Sequence, residues 1–252
     1  MHGEGCIICG RELTYSTEER DAVCSVCGKK TKTSIWCPEG HFVCDDCCRA
    51  PSRAAVVRAC LESEEKDPVK LAESIMHDPS VCMHGPEHHI LDACALAAAY
   101  RNCGGKIDLE SALRELVSRM SAVPGGVCGR YGCCGSAVAC GAFVSTATGT
   151  TPLSGSTWAL ANRMTSECLA AVGSIGGPRC CKRDSFLSLG AAARFITENM
   201  GVPMPSSVPV CMFSARNAQC LGEACPFNPG HGRRRTNPQG GFYLDTQILG
   251  GQ

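Results

Sequence analysis

Small and apolar residues form long helical stretches in the main part of the chain, residues 78–230, and convincing alternating strands are few. Ala-rich stretches that contain Gly favour closely packed helices. The pattern therefore predicts a mainly α-helical domain. Five helices are predicted, at residues 90–100, 109–120, 137–147, 156–172 and 186–198.

Three of these helices follow segments of similar composition, in which Cys or His stands beside Gly or Pro. The segments are CMHGPEHH at 82–89, GGVCGRYGCCGS at 125–136 and GGPRCCKRDS at 176–185. Pro86 suits the first turn of a helix, and Asp184 or Ser185 suits an N-cap.

The remaining pattern divides the chain into further parts. Residues 51–77 alternate apolar positions with charges, which predicts one helix or two, and Pro68 is expected to break the run. From residue 231 the chain is rich in Gly, Pro and Arg. We therefore predict a metal-binding module at 1–50, a helical linker at 51–77, a Cys-rich helical domain at 78–230 and a flexible tail at 231–252.

Eight metal-ligand residues occur in the first 47 positions, in four pairs. Two-residue gaps let both thiolates of a pair reach one tetrahedral ion, so four pairs supply two zinc sites with a structural role. Sequential pairing and cross-brace pairing give the same ligand types, and spacing does not distinguish a zinc ribbon from a cross-brace. Cys48 is an alternative to Cys47. The pairs are Cys6/Cys9, Cys24/Cys27, Cys37/His41 and Cys44/Cys47.

A second cysteine set lies near the end of the helical domain. Cys211, Cys220 and Cys225 stand on an irregular segment, and Pro226 follows the last of them, as in many iron–sulfur segments. With Cys180 or Cys181 as a further ligand, the set predicts a [4Fe–4S] cluster. A third zinc ion and the absence of any metal are the alternatives.

Two cysteine pairs, Cys133/Cys134 and Cys180/Cys181, directly precede predicted helices. A helix N-terminus lowers a thiol pKa, and Lys182 and Arg183 would add to this effect at the second pair. The alternative is that these thiols are small buried residues in tight turns. Other cysteines lie on apolar helical faces and are predicted to be core residues, namely Cys60, Cys94, Cys103, Cys140 and Cys168.

Histidines cluster at the start of the first of these helices. His84 and His88 are four residues apart, so they would share a helix face if the helix included both. Such a pair could bind a metal or act as acid and base, and helix capping or core packing is the alternative.

Composition excludes several classes of protein. The 24 basic and 24 acidic residues balance, which gives no support for nucleic-acid binding. No apolar run reaches the ~18 residues that span a membrane. Twenty-two cysteines without a secretion signal indicate reduced thiols, a cytoplasmic location and, more weakly, an anaerobic source. Phosphate-loop, dinucleotide and serine-hydrolase motifs are absent from the sequence.

These residues resemble the DUF5714 domain, a family of uncharacterised proteins of anaerobic archaea and clostridia. The resemblance covers roughly residues 35–228, and it implies no activity. The motifs that carry it are WCPEGHFVCDDC, CMHGPEHH, VPGGVCGRYGCCGS, TGTTPLSGSTWALANRMTS, IGGPRCCKRDS and the CPFNP end.

The order of the motifs is also similar to that of the iron–sulfur L-serine dehydratase α-domain and the cysteine desulfidases. Their His-x-x-Gly-Pro segment is approximated by residues 84–86, without the two-residue gap. Their Cys-x-x-Arg-Asn segment is approximated by residues 180–184, with Asp in place of Asn. The resemblance implies an iron–sulfur lyase.

The expected function is thus an iron–sulfur lyase or a sulfur-transfer enzyme that acts on a small anionic substrate. In this hypothesis His84 or His88 is the acid or base, Arg183 binds a carboxylate and Cys134 carries sulfur. The alternative is a metal-bound adaptor or a cluster-delivery protein. In either case, the zinc module is expected to contact a protein partner.

Overall fold

The computed structural model describes residues 5–231, and this part of the chain is mainly helical, which confirms the predicted class. A small two-stranded sheet precedes the helices. None of the helices in the described part has the length and the apolar composition that crossing a membrane requires. The elements are β1 Thr14–Val23, β2 Lys30–Trp36, α1 Asp45–Glu62, α2 Pro68–Ile75, α3 Glu87–Asn102, α4 Leu109–Ser121, α5 Val127–Tyr131, α6 Gly135–Ala147, α7 Ser156–Gly173 and α8 Cys181–Met200.

The N-terminal module contains an antiparallel hairpin, β1–β2, whose residues are mostly solvent-exposed. One CxxCG turn precedes β1, and the second connects β1 to β2. Gly10 and Gly28 occupy equivalent places, with φ of 73° and 71°, conformations that other residues rarely adopt. Their backbone N–H groups donate to the carbonyls of Cys6 and Cys24 at 2.7 and 2.9 Å. Each turn thereby folds its two cysteines toward one point.

Helix α3 lies at the centre of the helical domain. Most of its residues are buried, because α1, α2, α4, α6 and α8 all pack against it. Small residues allow this close packing: at Gly141 of α6, an added Cβ would lie 1.9 Å from Oγ1 of Thr165 in α7. Cys60, Cys94, Cys140 and Cys168 are fully buried, as predicted, and Cys103 packs at the edge of the core.

The predicted linker contributes to this core. Helix α1 crosses the predicted boundary at residue 50, and its Val56 is fully buried. Pro68 separates α1 from α2, as predicted, and stands in the first turn of α2. The carboxylate of Asp67 caps α2 by accepting from the N–H of Val69 at 2.9 Å. The predicted tail lies outside the described residues from position 232 onward.

The residues predicted at helix starts lie close to those starts but in other positions. Pro86 is the N-cap of α3, one position before the first turn that was predicted for it. Asp184 and Ser185 are not N-caps, so that prediction is wrong, because α8 begins at Cys181 and Cys180 is its N-cap. Asp184 instead lies in the first turn, where a negative charge is favourable.

Candidate metal centres

The four N-terminal ligand pairs form two groups in a cross-brace arrangement. The first pair joins the third, and the second joins the fourth, which distinguishes the two pairings that spacing left open. Within each group the ligand atoms lie within 4.8 Å of one another, as a tetrahedral ion requires. Cys47, and not Cys48, belongs to the second group. The groups are Cys6, Cys9, Cys37 and His41, and Cys24, Cys27, Cys44 and Cys47.

Backbone donors surround the thiols of these groups. The N–H of Cys44 donates to Sγ of Cys24 at 3.3 Å, and the N–H of Val26 donates to the same atom at 3.4 Å. The hydrogen bond from Cys44 is the main cause that lowers the pKa of Cys24 to about 6, whereas the neighbouring thiol of Cys27 is the main cause that raises the pKa of Cys47 to about 12. A bound cation would relieve this repulsion between neighbouring thiolates, and the thiolate is the form that binds a metal.

A third group of thiols lines one small cavity, of ≈ 20 Å³, beside the start of α8. It joins Cys180 to the three cysteines of the C-terminal segment. The N–H of Cys211 donates to the carbonyl of Phe227 at 2.7 Å, which holds the two ends of that segment together. We call this cavity the thiol cavity. Its four cysteines are Cys180, Cys211, Cys220 and Cys225.

Cys181 lies elsewhere, although it was an alternative to Cys180. The backbone N–H of Gly85 donates to its thiol, and burial raises the pKa of Cys181 to about 12. Cys180 is the N-cap of α8, and Cys181 is the first residue of the helix, so their side chains leave the backbone in different directions. Of these two adjacent cysteines, Cys180 lines the thiol cavity and Cys181 does not.

Each thiol of the thiol cavity accepts a hydrogen bond from an N–H group. Backbone donors serve three of them, and a side-chain amide serves the fourth. Such N–H···S bonds stabilise thiolates and metal-bound sulfur. The donors are Phe213 N–H to Cys211 at 3.4 Å, Gly222 N–H to Cys220 at 3.3 Å, Phe227 N–H to Cys225, and Nδ2 of Asn217 to Cys180 at 3.4 Å.

Two adjacent cations of α8, Lys182 and Arg183, line the thiol cavity and are almost fully buried. Nζ of Lys182 donates to the carbonyl of Cys82 at 3.1 Å and lies 4.7 Å from the ring centroid of Phe213. Burial lowers the pKa of Lys182 to about 8, which still leaves it mainly protonated at neutral pH. Among residues 5–231, no carboxylate forms an ion pair with Lys182.

His84 reaches the thiol cavity through Asn217. The backbone N–H of Gln219 donates to Oδ1 of Asn217 at 2.9 Å, which fixes the orientation of the amide. Nε2 of His84 lies 3.0 Å from the same oxygen and must therefore donate to it. Nδ1 of His84 then carries the lone pair, and it is buried without a partner among the described residues. Burial lowers the pKa of His84, which favours the neutral ring.

His88 is fully buried in α3, whereas His84 precedes the helix, so the two do not share a helical face. Nδ1 of His88 lies 3.1 Å from the carbonyl of Gly85, and Nε2 has no partner within the described part of the chain. Burial lowers the pKa of His88 well below its usual value. His88 is therefore a neutral residue of the domain interior.

Cys134 lies in a second and larger cavity, of ≈ 590 Å³, together with Arg179, Arg183 and Asp184. Burial raises the pKa of Cys134 to about 11, and it also raises the pKa of Cys180. At Cys134 and Cys180 the loss of hydration thus raises the pKa, which favours the alternative that these thiols are buried residues at helix starts.

Arg183 borders both cavities but is held by its own chain. Its Nε lies 3.1 Å from Oδ1 of Asp184, and its Nη2 donates to the carbonyls of Gly176 and Pro178 at 2.9 and 3.0 Å. The predicted catalytic residues are thus distributed: His84 contacts the thiol cavity through Asn217, and Cys134 lies in the larger cavity.

Sequence reasoning missed two polar residues of this region. Asn217 lies in no motif, although its amide contacts both His84 and Cys180. Asp92 is fully buried in α3, where it accepts from the hydroxyl of Ser185 at 2.9 Å, and burial raises its pKa to about 7. An acidic residue in the otherwise apolar ILDACALAAAY stretch is the one sequence signal that could have indicated it.

Comparison with known proteins shows the family of the helical domain. The model of a family of unknown function, DUF5714, matches residues 56–228, well over half of the chain, so the chain belongs to that family. The match begins within α1, after the two N-terminal ligand groups. No curated protein and no solved structure matches the chain, and the resemblance to serine dehydratases and desulfidases is not supported.

Proposed function

We propose that this member of the DUF5714 family holds a [4Fe–4S] cluster at Cys180, Cys211, Cys220 and Cys225. We further propose that its two N-terminal groups hold zinc ions with a structural role. The observation that carries the first proposal is that all four thiols line one cavity, and each accepts a hydrogen bond from an N–H group. The volume of ≈ 20 Å³ has room for about one water molecule, so binding of a cluster requires the C-terminal segment to move away from α8.

The buried cations support an anionic occupant of the thiol cavity. Removing an ammonium group from water costs several kcal/mol unless a nearby negative charge compensates it. Lys182 is 1% exposed, and no described carboxylate lies within ion-pair distance of it, although the charge of Glu87 acts on it from farther away and opposes the lowering of its pKa by burial. Arg183 is paired with Asp184. A cluster bound by thiolates carries net negative charge and would add to the compensation of Lys182.

The spacing of the thiols favours a cluster over a third zinc ion. Four sulfur ligands of one zinc ion lie about 4 Å apart, as follows from a Zn–S bond of about 2.3 Å. Apart from the two N-terminal groups, no set of three such ligand atoms in residues 5–231 lies within 4.8 Å of one another. Ligands of a cluster bind different iron atoms and can be farther apart.

For the reaction, we propose a lyase, in which His84 is the base. A [4Fe–4S] cluster would supply a Lewis-acidic iron only at an iron atom without a thiolate ligand, so the lyase requires that the substrate displaces one of the four proposed thiolates. Cys180 is the thiolate proposed to be displaced, because it is linked to His84 through Asn217. Nδ1 of His84 carries a lone pair and has no partner among the described residues. The amide of Asn217 orients the imidazole ring, because it contacts Nε2 of His84 and Sγ of Cys180. His88 is too deeply buried to reach a substrate without movement of α3.

Sulfur transfer through Cys134 is less well supported than elimination. Its thiol is protonated at neutral pH, since its pKa is raised to about 11, and a thiol is a poor nucleophile. Arg183 also donates to two carbonyls and to Asp184, which leaves Nη1 as its one nitrogen for a carboxylate.

A second candidate function, an adaptor or a cluster-delivery protein, has one favourable observation. Ile7, Ile8 and Val26 lie in the two CxxCG turns and are 49%, 46% and 66% exposed. Exposed apolar side chains near two rigid metal sites suit contact with a protein partner. Rapid transfer of iron and sulfide from the purified protein to an apo-ferredoxin would favour this function over the lyase.

We also propose a cytoplasmic location. All 22 cysteines lie within the described residues, and all are free thiols. So many unpaired thiols are expected in a reducing compartment, such as the cytoplasm of an anaerobe.

Single substitutions test the assignment of the cluster ligands. Cys220→Ala, purified anaerobically, should lose most of its iron and sulfide, because only three thiols remain in the cavity. Cys94→Ala is the matched control, since Cys94 is fully buried in α3 outside the cavity, and it should keep both. If both variants keep the iron of the wild type, the assignment is wrong.

A further inference from the structure

The larger cavity, around Cys134, has the dimensions of a ligand site. It lies between α5, the start of α6, the end of α7 and the segment that leads into α8. Its volume of ≈ 590 Å³ falls within the range of about 300–1,000 Å³ that ligand sites occupy. A free amino acid or a similarly small anion would leave most of this space unfilled.

The walls of this cavity are mainly uncharged. Six of the thirteen lining residues are glycines, which expose backbone rather than side chains. Leu169 and Val172 of α7 supply apolar surface. An apolar group of a ligand can therefore pack against these two side chains, and the glycines leave room for it beside the backbone.

The cavity carries one uncompensated positive charge. Asp184 is paired with Arg183, so these two charges balance. Arg179 also lines the cavity, and it is exposed and forms no hydrogen bond or ion pair with a described residue. A guanidinium group of this kind suits a carboxylate, sulfonate or phosphate.

From the size, the apolar wall and this single charge, we infer that the cavity binds an organic anion with an apolar body. Its anionic group lies at Arg179, and its body lies against Leu169, Val172 and the glycine backbone. That this ligand is the substrate rests on the proposed lyase function. Arg183 lines both this cavity and the thiol cavity. Binding of the ligand itself does not depend on the cluster.

The fluorescent probe 8-anilinonaphthalene-1-sulfonate has the required chemistry, a sulfonate on an aromatic body. Titration of the full chain should show saturable binding. Arg179→Gln should weaken that binding about tenfold, because it removes a charge-assisted contact. The neutral N-phenyl-1-naphthylamine should bind the wild type and Arg179→Gln equally. Arg194→Gln, an exposed arginine of α8 outside the cavity, is the matched control and should bind both probes as the wild type does.

A second variant fills the cavity. An added Cβ at Gly173, the last residue of α7, meets no atom within 4 Å, so Gly173→Leu should fold normally. Its side chain should reduce the binding of both probes at least tenfold. Unchanged affinities in Arg179→Gln and Gly173→Leu would overturn the inference.

The iron content of every variant separates this inference from the proposed function. Probe binding that depends on Arg179 and Gly173 in a protein without iron would support the cavity and contradict the cluster. A protein that contains iron, and whose probe affinities do not change on either substitution, would support the cluster and contradict the inferred ligand site in the cavity.

Discussion

Nδ2 of Asn217 lies 3.4 Å from Sγ of Cys180, and this contact links the N-cap of α8 to the cysteine-bearing C-terminal segment. The amide oxygen of the same side chain accepts from His84 at 3.0 Å. One buried amide therefore holds both a proposed cluster ligand and the proposed base. Its contacts determine which nitrogen of His84 is free to accept a proton.

Replacement of Asn217 should change the reduction potential of the proposed cluster, while the protein remains folded. Asn217→Leu removes an N–H···S bond that is stronger to the more negative, reduced cluster. We expect the reduction potential to fall by about 20–60 mV, which corresponds to ~1 kcal/mol. Protein-film voltammetry or a redox titration followed by electron paramagnetic resonance measures this shift.

Asn228→Leu is the matched control for that experiment. Nδ2 of Asn228 lies 3.9 Å from Sγ of Cys220, which is a longer and weaker contact than the one to Cys180. Its substitution should shift the potential less. A larger shift in Asn228→Leu than in Asn217→Leu would contradict the assigned hydrogen bonds.

Adjacent cysteines of α1 should differ in their effect on zinc. Cys47 belongs to the second ligand group, whereas Cys48 does not. We expect Cys47→Ser to lose about one zinc ion per chain and Cys48→Ser to lose none. Inductively coupled plasma mass spectrometry measures the zinc. Trypsin should also cleave faster at Lys30 and Lys32 of β2 in Cys47→Ser, because the hairpin loses a metal ion that holds it. Equal zinc contents of the two variants would refute the assignment of Cys47 to the second group.

Stability should depend on pH through Asp92. Its pKa is raised to about 7 in the folded protein, from 3.8 in the unfolded chain. Between these values the folded state binds more protons, so the free energy of unfolding falls as the pH rises through this window. The Asn side chain of Asp92→Asn does not titrate, so this variant does not lose stability by this route. Between pH 5 and 8, its free energy of unfolding should therefore fall by about 2–3 kcal/mol less than that of the wild type. Urea denaturation at both pH values measures the difference, and parallel profiles would show that Asp92 does not titrate in this range.

The close contact of α6 with α7 depends on Gly141. A methyl group there would lie 1.9 Å from Oγ1 of Thr165 and 3.0 Å from the carbonyl of Ala161. Gly141→Ala should lower the free energy of unfolding by about 1–3 kcal/mol, despite the better helix propensity of Ala. Gly129→Ala is the control, because its Cβ meets no atom within 4 Å. Equal stability of the two variants would mean that the helices can separate at little cost.

The helices could be predicted from the sequence because their residues pack in a regular way. All five predicted helices of the main domain are present, with ends shifted by at most five residues. The largest shift is at the start of α8, where Cys181, Lys182 and Arg183 have no apolar pattern, yet they belong to the helix. Metal, rather than burial, would hold the hairpin β1–β2, whose side chains are mostly exposed and gave no alternating signal.

The ligand groups could be predicted only in part. Spacing identifies CxxC pairs, but cross-brace pairing depends on how the hairpin folds back in space. Cys180 and Cys181 are equivalent in sequence, and only the start of α8 separates their directions. Asn217 contacts His84, and Lys182 contacts Cys82, and the residues of each pair are more than 90 positions apart in the chain. Local sequence patterns do not predict such contacts.

Metal and sulfide analysis of the wild-type chain, purified without oxygen, tests the central claim most directly. We predict about four iron and four sulfide ions beside about two zinc ions per chain, with a broad absorption band near 400 nm and a brown colour. A colourless protein that contains zinc alone, whether two ions or three, would contradict the assignment of an iron–sulfur cluster to the four thiols at the start of α8.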